Sequence, residues 1–195
     1  MILPIVKYGH PALRKPGARI ETVTPEIRQL AADMIETMHA AQGVGLAAQQ
    51  VGQALQMCVI DVREAKDRPS WVEKDGVRID VATIMPLVLI NPSLELEGDR
   101  ETGPEGCLSF PEVFADIARP AVVSVRAIDE HGKPIAFRCG GLLSRAIQHE
   151  YDHLRGVLFI DRMSGETKRQ LRSALDELQA STQAELKGAK VKVMA

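Results

Sequence analysis

Two histidines four residues apart, His149 and His153, stand inside a stretch that reads as helical, with Glu150 directly after the first. At 3.6 residues per turn both imidazoles leave one face of that helix one turn apart and can reach one ion, while Glu150 can reach a water beside it. The pattern is HExxH, and the chemistry it implies is metal-assisted hydrolysis. It also constrains the fold. A catalytic ion of this kind takes three protein ligands and leaves one position open, so a segment remote in sequence must fold back onto the helix. Two exposed helical histidines beside a surface glutamate would satisfy the same letters, so the third ligand decides.

The spacing continues to Gly156 as in metzincin proteases, but Phe159 stands where that family needs its third histidine. His10 precedes a proline, His39 lies late in a predicted helix and His131 in a hairpin turn, none with a motif around it. A thermolysin-like site would use a downstream glutamate, and Glu166 and Glu177 are available for one. Of the three cysteines, Cys58 lies in an apolar run and Cys139 ends a strand, both settings in which a thiol behaves as a small hydrophobe. Cys107 follows a glycine-rich, acidic stretch, residues 98–106, that reads as accessible backbone, and it is the best candidate for a thiolate ligand.

Three segments together resemble the peptide deformylase family, which removes the N-formyl group from new proteins. The family's patterns are G-x-G-L-A-A-x-Q, E-G-C-L-S and Q-H-E-x-D-H. The chain carries them in order as Gly43 to Gln50, Glu105 to Ser109 and Gln148 to His153, and the likeness extends over about residues 4–165. It implies that Cys107, His149 and His153 hold one divalent ion, Fe(2+) in the native state, with Zn(2+), Ni(2+) or Co(2+) able to substitute. It implies that Glu150 moves the proton, and that Gln50, Leu108 and Gly45 stand at the reacting carbonyl. It puts Gly43, Val44, Gly45, Glu105, Leu142 and Ala146 along the bound peptide and its methionine side chain. Gly103 and Arg145 occupy positions where some relatives carry larger apolar residues, and Phe114 one where some carry arginine. The glycines at 43 and 45 formally fit a dinucleotide fingerprint, but they follow a helix rather than a strand, against that reading.

The charge balance, 24 basic against 26 acidic residues, provides no global field for wrapping DNA, so no specific DNA contact is expected. The first residues lack a basic region followed by a long apolar run, and the densest apolar run, residues 84–90, is too short to span a bilayer. Three cysteines give no disulfide framework. Together these features lead us to expect a cytoplasmic chain with no membrane contact.

Thr24 and Pro25 open an amphipathic helix that ends near Gly43. Strand-like runs follow at 55–62, 87–91, 122–128 and 134–139, the last two joined by a glycine-containing turn, while the charged segment 63–83 reads as a surface excursion or an extra hairpin. The motif helix is expected over about 141–155. Ser164 caps a last helix over about 164–187, and a basic, mobile tail follows at 188–195. The expected architecture is α+β: antiparallel or mixed β-sheets packed around a central HExxH helix, with an N-terminal and a C-terminal helix, all in one domain spanning 1–195. The last helix resembles that of deformylases that dock on the ribosome near the nascent-chain exit. N-formylmethionyl nascent peptides and the ribosome are therefore the expected partners. The rivals are a broader metallopeptidase and a purely structural metal site closed by a fourth protein ligand.

Overall fold

The computed structural model describes residues 1–193. Helix α1 (Pro25–Ala40) starts as its sequence dictates, with the Thr24 hydroxyl accepting from Ile27 N–H and proline at the first helical position. Its apolar stripe buries Ala31, Met34 and Met38 against a layer that includes Leu46, Met57, Val59 and Ile90.

Seven strands form one sheet: β1 (Gly45–Ala47), β2 (Met57–Ile60), β3 (Ser70–Lys74), β4 (Val77–Ile79), β5 (Leu87–Cys107), β6 (Phe110–Ile128) and β7 (Pro134–Gly141), in the spatial order β1-β2-β5-β6-β7-β3-β4. Every strand pairing is antiparallel, and the one parallel contact among the described residues is an isolated bridge between Ala18 and Leu55. The segment expected as an excursion or extra hairpin is β3 and β4, which extends the sheet beyond β7.

The stretch 98–106 is largely exposed, as expected, but it is also a strand, which the sequence did not signal. It is the second half of β5, paired with β6 from Arg100 opposite Pro120 to Cys107 opposite Phe110, and the expected short strands at 87–91 and 122–128 are the far ends of this long hairpin. Register shifts after Ile90, Glu97 and Gly106 bend it. Glycine normally signals a turn, whereas here three glycines lie in a strand that bends.

Helix α2 (Leu142–Leu154) carries the motif, and eleven of its 13 residues are buried. It packs on β1, β2, β3, β6 and β7. Leu143, Ile147 and Leu154 share a core with Cys58, Leu89, Val125 and Cys139, so both of those cysteines act as small hydrophobes, as expected. Burial pushes the Cys139 thiol up to about 12. A third cluster joins Leu13, Phe110 and Phe159, with Phe110 edge-on to Phe159 at 5.1 Å between ring centres.

Ser164 caps α3 (Gly165–Gln170), accepting from Thr167 N–H. The expected single helix is broken at Leu171, and α4 (Arg172–Val193) runs beyond the expected end at Lys187. Residues 194 and 195 of the expected tail lie outside the described residues, as do the side chains of Lys190 and Lys192.

Candidate active site

The end of β5 returns to α2 and brings Cys107 to the two histidines. Cys107 Sγ lies 3.4 Å from His153 Nε2. One donor atom from each of Cys107, His149 and His153 falls within 4.8 Å of the others. Donors around a tetrahedral zinc-type ion stand roughly 3.3 to 3.8 Å apart, so small side-chain adjustments suffice to close the group on one. The chemistry fits as well: one thiol and two ring nitrogens suit a borderline-soft divalent ion. Burial holds the His153 imidazole well below its usual range and therefore neutral, the state a ligand needs. At His149 burial works in the same direction, but hydrogen bonds to Cys107 and Glu105 outweigh it and raise its pKa. Ion uptake there would release a proton.

Behind His149 stands a ladder of charges, buried at Glu105, Arg119 and Asp152. Glu105 Oε2 lies 3.0 Å from His149 Nδ1, which leaves Nε2 for the ion side. Arg119 grips Glu105 with two N–H bonds and donates a third to Asp152 at 2.9 Å, and Arg162 closes the far end with two bonds to Asp152. Arg145 adds a bond of 2.9 Å to Glu105. Burial alone would raise the Glu105 carboxyl, but Arg119 and His149 overcome it and hold it down to about 2.

Glu150 lies in front. One carboxylate oxygen, Oε2, is buried with no hydrogen-bond partner among the described residues, and burial pushes its pKa up to about 7. The backbone at Gly45 passes so close that a Cβ there would stand 2.3 Å from Glu150 Oε1, so any side chain at this position would displace the carboxylate. Gln50 is oriented by its own turn. Its Oε1 accepts from Ala47 N–H at 2.8 Å, so Nε2 faces the site and donates to Cys107 Sγ at 3.4 Å and Ser109 Oγ at 3.3 Å.

These groups open onto a cavity of about 650 Å³ lined by Gly43, Val44, Gly45, Gln50, Glu105, Cys107, Leu108, Leu142, Ala146, His149 and Glu150. The structure thus brings together every site residue expected from sequence, with His153 joined through Cys107. Phe114 forms an exposed apolar rim. Of the other ligand candidates, Glu166 and Glu177 are exposed on α3 and α4, and Phe159 packs its ring 5.9 Å from His149. Lys7, which donates to the Leu108 carbonyl at 3.2 Å, and Arg68 also line the cavity. Neither belongs to a motif, so sequence reading had no signal for them.

The family model for polypeptide deformylase matches residues 2–169. The chain belongs to the polypeptide deformylase family. It is 46% identical over 191 residues to a peptide deformylase of Opitutus terrae, covering 96% of this chain and 98% of that one. To a peptide deformylase of Methylacidiphilum infernorum it is 46% identical over 178 residues, covering 91% and 93% of the two chains. A crystal structure of a peptide deformylase from Synechococcus elongatus, solved in complex with actinonin, is 39% identical and superposes with a TM-score of 0.73 over 92% of this chain and 85% of that one. As a member of that family the chain is a hydrolase. No helix among the described residues is long and apolar enough to cross a membrane.

Proposed function

We propose that this chain removes the formyl group from the N-terminal formyl-methionine of nascent polypeptides, releasing formate and a free amine, and that the whole chain acts as one catalytic domain. The observation that carries the reading is the convergence on one cavity of the Cys107, His149 and His153 donors, the unpartnered oxygen of Glu150 and the oriented amide of Gln50. A divalent ion on Cys107, His149 and His153 would supply an activated water and polarise the formyl oxygen. Fe(2+) is the ion we expect, supported by the thiol in the donor set, with Zn(2+), Ni(2+) or Co(2+) as substitutes.

Glu150 accepts the proton of the attacking water at the oxygen that has no other partner, and its pKa of about 7 suits a group that must both take and give a proton near neutrality. As the carbonyl carbon becomes tetrahedral, negative charge gathers on the formyl oxygen, where Gln50 Nε2–H and the Leu108 backbone N–H act as donors. Glu150 then delivers its proton to the departing nitrogen. Gly43, Val44 and Gly45 lie along the peptide backbone, while Leu142 and Ala146 provide apolar wall for the methionine side chain.

A cytoplasmic location follows from the nascent-chain substrate. Docking on the ribosome through the C-terminal helices is supported by Lys168 and Arg169 on α3 with Arg172 and Lys187 on α4, although Asp176, Glu177 and Glu185 interrupt that basic surface.

The test is formate release from formyl-Met-Ala-Ser by anaerobically purified protein, beside Glu150→Ala and unformylated peptides. The wild type should release formate, the variant should keep its ion and lose activity by about three orders of magnitude or more, and unformylated peptides should stay intact. Absence of formate with one ion bound per chain would reject the reading.

A further inference from the structure

The segment 63–83 has no part in that chemistry, yet it touches both walls of the cavity. Helix α2 begins on Gly141, which has φ of +70° and no side chain to cap the helix. A Cβ at Gly141 would stand 2.1 Å from the Pro69 carbonyl oxygen, so this segment lies directly on the helix start. The first two helical amides are satisfied from there: Leu142 N–H donates to Pro69 O at 3.2 Å and Leu143 N–H to Ser70 Oγ at 3.0 Å. Ser70 thus performs from another strand the task an N-cap side chain performs from within. The preceding residue reaches the opposite wall, with Arg68 Nη2 donating to Pro104 O at 3.3 Å, one residue before Glu105.

What this staple holds is the part of α2 that shapes the pocket. Leu142 and Ala146 line the cavity from the first and second turns. His149 and Asp152, further along, are held independently by Glu105, Arg119 and Arg162. Losing the staple should therefore loosen the apolar wall and leave the reacting groups in place.

We propose that Ser70 is a positioning residue that, by fixing the first turn of α2 from outside the helix, sets the cavity's selectivity for the N-terminal side chain of the formylated substrate. The proposal rests on the deformylase reading.

It is tested with Ser70→Ala and Ser70→Thr, using peptides that begin with formyl-methionine, formyl-norleucine or formyl-alanine, together with hydrogen exchange at the Leu143 amide. A cap contributes about 1 kcal/mol, so Leu143 exchange should quicken about fivefold in Ser70→Ala. KM for the methionine peptide should rise by a similar factor and the preference for methionine over alanine should shrink with it, while kcat stays within about twofold. Ser70→Thr, which keeps a capping hydroxyl, should restore all three. Faster exchange at Leu143 with unmoved KM and preference would overturn the proposal alone, as would a loss confined to kcat. Failure of the wild type to release formate from any of the peptides would overturn the deformylase reading and this inference with it.

Discussion

Glu105 and Glu150 are both almost fully buried, at 6% and 4% exposure, and they flank the same histidine. Behind His149, Glu105 has two arginines and an imidazole around it and is held down to about 2. In front, Glu150 has an oxygen with no hydrogen-bond partner among the described residues and is pushed up to about 7. Burial raises both groups, and only the one behind has cations close enough to reverse the sign. The rear region is saturated so that His149 cannot turn, whereas the front is left short of one partner so that a proton can move there.

The sharpest way to break this contrast is to cut the ladder. Arg119→Met leaves two buried carboxylates short of their shared cation and should cost about 3 to 5 kcal/mol in urea unfolding, with metal retention weakened as well. A loss below about 1 kcal/mol would mean that Arg145 and Arg162 suffice and the ladder is redundant.

The front carboxylate should behave in the opposite sense in chelator-treated protein. The folded-state pKa of Glu150 is raised from 4.5 to about 7, so the folded chain binds the extra proton and stability falls as pH rises through that window. Glu150→Gln should remove a cost of about 3 kcal/mol that is fully present above pH 7 and absent below about 4.5. Glu105, depressed from 4.5 to about 2, contributes stability above 4.5 that disappears as pH falls toward 2, and Glu105→Gln should flatten that acid limb. Stability profiles of the two variants that tilt the same way would contradict the contrast.

Gln50→Glu keeps the acceptor that Ala47 N–H needs and replaces the donor that faces the site. It should lower kcat about a hundredfold, checked by single-turnover formate release. The smallest effect belongs to the surface. Arg172 and Asp176 form an exposed pair one helical turn apart at 3.7 Å, and Arg172→Ala should change stability by less than about 0.5 kcal/mol.

How much of this was legible in the sequence follows the range of each interaction. His149, Glu150, His153, Cys107 and Gln50 announce themselves because their spacing is local and their chemistry narrow. Helix α1 does so because Thr24 and Pro25 mark its start. Arg119, Arg145 and Arg162 do not, because the ladder is built from residues scattered across β6 and two other segments, and a lone arginine has no periodicity. Asp152 pairs with Arg119, but nothing in the local sequence points to the partners beyond it. The strand at 98–106 was missed because its three glycines are poor strand residues, and the Arg145 guanidinium, 3.3 Å from where a Cβ at Gly103 would be, is a neighbour on α2 that the local sequence cannot display. Ser70 was invisible for the same reason, since its acceptor role is spent on a helix some seventy residues away.

Both ends of the sheet are strands of only three residues. β1 is buried along its whole length, and β4 ends the other side with Arg78 stacked over Trp71 at 3.5 Å. An incoming chain finds too few unpaired amides at either margin to zip onto, and at the open margin it meets a charge. What this blunts is growth at the two margins, where a strand of another chain would find almost nothing to pair with.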